Sequence, residues 1–476
     1  MDIARSTLKL YVAQLGSAAL VAGGLVFFSR ELGAATMGVF FLFQAVLEML
    51  MIPADFGVRG AVEKRISEGE SPPDIFSTGL LLKAGLAAFA VAGILVFRGR
   101  LNEYIGAELA LYLAVAVVLR EFSWLMMRVL KGELRVEETA TLKFVQKAVW
   151  IVGGGALVYL GWEVEGLVYG LIGGFAAVLV WGTWKVSTPL GRPSRERARS
   201  LVDYSKYNVV TSVQGYVGNW LDVVFIGFFL SQTHVGAYEV SWRVTTFVLL
   251  LSKAIAQSIF PQISEWSGED ATGRIERLIT SVITPSVFLL IPALVGTALL
   301  ARPILELVFG AEFGIASVSF VILMGFTLIR GFGVVFGRAL GAIDEMRLAA
   351  ISGVAATTSN VLLNAVLVFQ FGLVGAATAT LISSVVGTGL DVRFLSQHID
   401  LELPVTELKY CAVSAGVMGV VVYLARSSIG VGTLWKLGAV IALGGATYGA
   451  AVLAFRPLRT RVLGTLPVGR LRRWSP

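Results

Sequence analysis

The chain has 476 residues, of which 56% are hydrophobic and 15% charged, and 39 lysines and arginines against 32 acids leave a net charge of +7. A soluble chain carries about a quarter of its residues as charges, so this composition excludes a soluble globular protein. Its one cysteine, Cys411, rules out an internal disulfide and a cysteine-based zinc site, and neither His234 nor His398 lies near a polar cluster that would make a hydrolase nucleophile. No cofactor, metal or catalytic residue is expected.

Apolar runs of about 18–25 residues recur from end to end, long enough to cross the hydrocarbon core. Backbone groups at that depth have no water to bond, which leaves helices or a closed barrel. The runs are too long for barrel strands and lack two-residue alternation, so helices are expected. In chain order the predicted spans are 8–29, 36–56, 75–97, 105–127, 139–160 and 164–186. Then come 203–230, 234–258, 278–301, 313–338, 347–370 and 372–395, followed by 406–426 and 431–455. The first run is too long for a cleavable leader and is read as a span. Pro72–Pro73, Pro189–Pro193 and Arg302–Pro303 mark breaks between runs.

Lysine and arginine fix the expected orientation. Arg192, Arg195, Arg197 and Arg199 fill a central linker, Arg456, Arg459, Arg461, Arg470, Arg472 and Arg473 fill the tail, and the 5–6 and 11–12 loops have no basic residue. Both termini are therefore expected to be cytoplasmic, in a multi-pass protein of the cell (inner or plasma) membrane with an even number of spans. Topology and anionic lipid account for the positive charge without nucleic acid.

The chain also repeats itself. Phe27-Phe28 leads to Gly38-Val39-Phe40, as Phe228-Phe229 leads to Gly236-Ala237-Tyr238, and Gly161 and Gly166 have counterparts in Gly372 and Gly375. The expected fold is thus an all-α integral membrane protein of about fourteen transmembrane helices. Two six-helix lobes related by pseudo-twofold symmetry, 1–186 and 203–398, flank a basic linker at 187–202, and 399–476 holds two extra C-terminal helices and a basic tail.

A charge at the bilayer centre costs roughly 2.5–3.5 kcal/mol on insertion scales, so polar residues inside spans should face a cavity or a partner. Span 7 carries Asn208, Ser212, Gly215, Asn219 and Asp222 within about 40° of one helical meridian. Span 8 carries Glu239, Arg243, Thr246, Lys253 and Gln257 in a similar stripe, and span 2 carries Gln44, Glu48 and Asp55 with Arg59 just off it. Gln14, Arg120, Arg330, Asn360 and Asn364 are further intramembrane polar groups. The stripes read as walls of a hydrated cavity between the lobes. Structural alternatives stand beside that reading. Glu239 and Arg243, four apart, can neutralise each other, Asn360 and Asn364 can bond across helices, and Gly166, Gly170 and Gly174 form a packing face. Lys83, Lys143 and Lys147 can snorkel to the surface.

Arg243, Lys253, Arg120 and Arg330 point to an anionic ligand, since arginine bonds two phosphate oxygens at once. The amides and hydroxyls suit sugar, so Gln14, Gln44, Asn208, Ser212, Asn219, Asp222, Glu239 and Gln257 are candidate cavity lining. Glu48 and Asp55 are candidates for a coupling proton or sodium ion, or counter-ions.

Ile259-Phe260-Pro261, Asn360 to Asn364, the run Phe371-Gly372-Leu373-Val374-Gly375-Ala376-Ala377-Thr378-Ala379-Thr380, and Glu31-Leu32-Gly33 through Gly38-Val39-Phe40 carry a family likeness. In order and spacing the chain resembles the polysaccharide-transporter (O-antigen flippase-like) branch of the multidrug/oligosaccharidyl-lipid/polysaccharide flippase superfamily. The resemblance implies alternating access and transfer of a polyprenyl- or dolichyl-phosphate-linked oligosaccharide from the cytoplasmic to the outer leaflet, for surface glycan synthesis. The implied partners are that lipid, membrane lipids, H+ or Na+, and glycan assembly enzymes. A lipid II flippase and a cation-coupled drug exporter are rivals within the superfamily. A membrane-embedded oligosaccharide polymerase or ligase is the rival of another class, disfavoured by the short outward loops.

Overall fold

The computed structural model describes the backbone of residues 3–268 and 272–459, and within these the side chains except at 3–15, 207–214, 258–262, 264–265, 267–268 and 272. All regular structure among the described residues is helical, and nine helices there are long and apolar enough to cross a membrane. Two of them, Gly16–Asp55 and Met346–Leu395, each take in two predicted spans, so the expectation of about fourteen is neither reached nor replaced by that number. The chain forms two compact units, Met1–Glu239 and Val240–Pro476.

In the first unit α1 (Ile3–Asp55) turns at Gly33, where φ is 74° and ψ is 175°. A Cβ is strongly disfavoured in that region, so glycine separates the first two predicted spans without a loop. Phe56 (φ 45°) and Gly57 (φ 77°) then end α1 and start α2 (Val58–Ser67). Next come α3 (Pro72–Val96), α4 (Arg98–Ile105) and α5 (Ala110–Gly132). The sequence places a span at 105–127, but the left-handed Gly106 (φ 86°) interrupts it and Asn102 accepts a bond from the Ala110 N–H at 2.8 Å, delaying α5. A core of Val58, Val62, Ile75, Leu125, Met126 and Val129 joins α2, α3 and α5.

Helix α6 (Val136–Ala148) passes through a π-helical turn, Val149–Gly153, into α7 (Gly154–Tyr159), and all three pack on α8 (Val164–Lys185). The glycine face expected on α8 makes that approach: a Cβ added at Gly170 would lie 2.6 Å from the Gly154 Cα, and one at Gly174 2.7 Å from the Gln146 carbonyl. An extended stretch then leads to α9 (Arg195–Phe229), whose N-cap Ser194 accepts a bond from the Arg197 N–H at 3.2 Å. Arg195, Arg197 and Arg199 therefore lie on the first turns of a helix. The next helix, α10 (Gln232–Val248), begins in this unit.

In the second unit α11 (Leu250–Gly268), α12 (Thr272–Val287) and α14 (Ser317–Ala342) share a core that includes Ala256, Ile279, Ile283, Val335 and Ala339. Between them in sequence, α13 (Leu290–Ile304) ends in a π-helical turn, Leu305–Phe309. Helix α15 (Met346–Leu395) is broken at Gly372 (φ 58°, ψ −132°), the same device that divides α1. Asn360 donates across that break to Thr380 Oγ1 (3.2 Å) and Ser383 Oγ (3.4 Å), and Asn364 donates to the Asn360 carbonyl (3.0 Å). The interhelical reading thus describes the contacts of Asn360, whereas this bond of Asn364 stays within its own helical segment. The last two helices, α16 (Val405–Ile429) and α17 (Leu434–Ala454), pair with each other and with α13 through Leu300, Met418, Val422 and Val440.

Candidate functional site

Polar residues of the first unit converge at the junction of α1 with α2. Asp55 ends α1, and across the two left-handed residues Phe56 and Gly57 it meets the first turn of α2. One of its oxygens accepts the Arg59 backbone N–H at 3.2 Å and lies 2.8 Å from Arg59 Nε. The same oxygen accepts from Lys83 Nζ of α3 at 2.7 Å. Lys83 also donates to the Ala54 carbonyl at 3.2 Å and forms an ion pair with Glu121 of α5.

Lys83 is fully buried, which corrects the snorkelling expectation for it, whereas Lys143 and Lys147 are exposed. Asp55 and Glu121 on either side compensate an amine that burial in a packed core would otherwise penalise. Arg120, one residue before Glu121, ion-pairs with Glu48 at 2.6 Å. The guanidiniums of Arg59 and Arg120 lie 4.8 and 4.9 Å from the Trp124 ring centroid. Arg59 Nη2 donates to the Tyr216 hydroxyl of α9 at 2.6 Å, and Arg128 pairs with Glu63. A cavity of about 400 Å³ opens beside this network, lined by Glu48, Asp55, Arg59, Arg128, Trp124 and Trp220 and by the α9 residues Gly215, Tyr216 and Asn219.

The sequence-predicted residues divide as follows. Glu48, Asp55 and Arg120 enter one buried network, and Asn219 lines its cavity while donating to the Gly215 carbonyl at 2.6 Å. Asp222 is buried and accepts from the Tyr238 hydroxyl at 2.7 Å; Glu239 is buried and Gln44 half-buried. The side chains of Gln14, Asn208 and Ser212 lie outside the described residues. In the second unit Arg243 and Lys253 are half-buried, and Gln257 and Arg330 are exposed. Lys253 of α11 lies within electrostatic reach of Arg330 of α14, which in turn senses Asp391 of α15.

Sequence reasoning assigned Lys83 to the surface and passed over Trp124, Tyr216 and Asp391. A lysine eight residues into the apolar run at 75–97 and an acid inside the run at 372–395 were available signals. Helical phase, however, shows only the face a residue occupies and not the helix opposite. Trp124 and Tyr216 had no such signal.

Residues 27–335 match the family model described as "Polysaccharide biosynthesis protein". The chain is 44% identical over 459 residues, 96% of this chain and 97% of the relative, to the "Probable low-salt glycan biosynthesis flippase Agl15" of Haloferax volcanii. It is 30% identical to the "Probable flippase AglR" of the same organism, over 90% of this chain and 91% of the relative. Among solved structures, the inward closed lipid II flippase MurJ shares the fold at a TM-score of 0.80 and 16% identity, covering 94% of this chain and 98% of that one. An inward-facing multidrug resistance MATE family transporter of the MOP superfamily follows at 0.62 and 15% identity, covering 82% and 98%.

Proposed function

We propose a function from one premise, that the chain belongs to the polysaccharide biosynthesis protein family, in the polysaccharide-transporter branch of the multidrug/oligosaccharidyl-lipid/polysaccharide flippase superfamily: it is a multi-pass membrane transporter that flips a lipid-linked glycan. The observation that carries this is the 44% identity to a probable glycan biosynthesis flippase over nearly the whole of both chains. The residue chemistry supports it. Charges deep in a helix are costly in lipid and are kept where they face a partner or a hydrated cavity, and a polar headgroup in transit needs such a cavity.

The finer reading follows the charge pattern. The basic linker and tail favour cytoplasmic termini in the cell membrane, and movement from the cytoplasmic to the outer leaflet by alternating access. Two six-helix lobes, 1–186 and 203–398, flank the linker 187–202, with 399–476 appended. Arg243 and Lys253, helped by Arg330, hold the phosphate; Arg120 is the fourth candidate, and its ion pair with Glu48 favours a structural role for it. Asn208, Asn219, Asp222 and Gln257 contact sugar, with Gln14, Gln44, Ser212 and Glu239 completing the polar lining. Glu48 and Asp55 carry a coupling H+ or Na+, or act as counter-ions to the arginines, and the ion pairs they form favour the second role. Glycan assembly enzymes are the expected neighbours in the membrane.

Arg243→Gln and Lys253→Gln test the phosphate assignment. Each variant should insert and accumulate normally in the membrane yet abolish delivery of surface glycan. Normal surface glycan in both removes these two side chains from the transport role.

A further inference from the structure

We infer that the cavity beside Asp55 and Arg59 is a saccharide subsite that holds one uncharged, hydroxyl-rich pyranose ring of the headgroup, an inference that rests on the glycan-flippase reading. Charge balance is the first argument. Every ionised side chain around the cavity has an opposite partner in contact: Arg59 with Asp55, Glu48 with Arg120, and Arg128 with Glu63. A phosphate or carboxylate entering here would compete with three carboxylates, and a cation with three guanidiniums. A neutral ligand disturbs none of these pairs.

Unused hydrogen-bonding capacity is the second argument. Arg59 Nη1 and Trp124 Nε1 are buried without a hydrogen-bond partner, and the Arg59 side chain is only 5% exposed. Both residues line the cavity, as do the amide of Asn219 and the carboxylate of Glu48. Sugar hydroxyls, which donate and accept from the same oxygen, suit a wall of alternating donors and acceptors. Ring surface is the third. The faces of Trp124 are approached by two guanidiniums, so the apolar face of a pyranose finds its platform on Trp220 and Tyr216 of α9 instead. A volume of about 400 Å³, with open space beside Gly215, holds a single ring rather than a whole oligosaccharide.

The test is equilibrium binding to the full chain in lipid nanodiscs, with three probes: polyprenyl phosphate bare, carrying one neutral hexose, and carrying one uronic acid. The wild type should bind the hexosyl lipid more tightly than either other probe. Trp220→Leu and Asn219→Ala should each cut the preference for hexose over bare carrier, by up to about tenfold for the tryptophan. Asn219 is exposed and its amide bonds only its own helix, so Asn219→Ala keeps the test sound should Trp220→Leu fail to fold. Equal affinity for bare and hexosyl carrier, a preference for the uronic acid, or an unchanged preference in both variants would overturn the subsite. Vesicle transport of the same lipids separates this from the function itself. Hexose preference without transport would keep the subsite and remove the flippase reading, and transport without preference would do the reverse.

Discussion

Lys83 shows how much of this molecule is decided by single residues. Its ammonium is enclosed by Asp55, Glu121 and the Ala54 carbonyl, and it is the one cation that touches acids from two other helices in this cluster. Removing one member of a buried ion network leaves its partners uncompensated, which costs about 3–5 kcal/mol. Lys83→Met should therefore lower the unfolding temperature of the detergent-solubilised protein markedly, while Lys143→Met, at an exposed site, should not. Indistinguishable melting of the two variants would mean that the network contributes no stability. The sequence carried half of this. The stripe of Glu48 and Asp55 and the depth of Arg120 were legible from helical phase, because a 3.6-residue period assigns each residue a face. The partners were not, since Lys83 lies 28 residues from Asp55 and 38 from Glu121, and only packing brings such positions together.

At the scale of elements, breaks and contact faces were more legible than boundaries. Glycine in the motifs Glu31-Leu32-Gly33 and Phe371-Gly372 marks the turns in α1 and α15, because positive φ there admits glycine with little strain. The start of α5 was misjudged since the residues that end α4 are ordinary, and the interruption comes from the left-handed Gly106 and the Asn102 cap. The packing of α8 on α6 and α7 makes a direct prediction. Gly170→Val would push a side chain into the Gly154 backbone, and overpacking of this kind costs about 1–3 kcal/mol, readable as a lower unfolding temperature. Unchanged stability would show that the two helices can separate freely.

A second prediction concerns the basic end of the same helices. Glu138 at the start of α6 is bonded by Lys185 of α8 and by Arg135, and these bonds, Lys185 first, hold its carboxyl below the usual carboxylate range. A carboxyl whose folded value is depressed stabilises the fold above its unfolded value and loses that contribution as pH falls through the folded one. The wild type should thus melt above Glu138→Gln at neutral pH, and the two curves should converge on acidification. A constant gap would assign the difference to something other than this ionisation.

For the whole molecule, composition alone decided the solvent: a chain with 15% charge and apolar runs from end to end belongs in a bilayer. Order and spacing of weak motifs decided the family, which the match over residues 27–335 and the two flippase relatives bear out. The number of spans was less legible, because four apolar runs join in pairs into α1 and α15 with only the turns at Gly33 and Gly372 between them. The roles of individual cations were least legible, since a buried arginine looks the same in sequence whether its partner is a ligand or a glutamate. Arg120 with Glu48 at 2.6 Å shows the difference that packing makes. The central claim is that the chain flips a lipid-linked glycan. A leaflet-resolved mass-spectrometric census of lipid-linked glycans, taken with surface glycan in cells lacking the protein, tests it most directly. The account predicts completed lipid-linked oligosaccharide accumulating on the cytoplasmic leaflet while surface glycan is lost. Completed units that reach the outer leaflet at the normal level would contradict it.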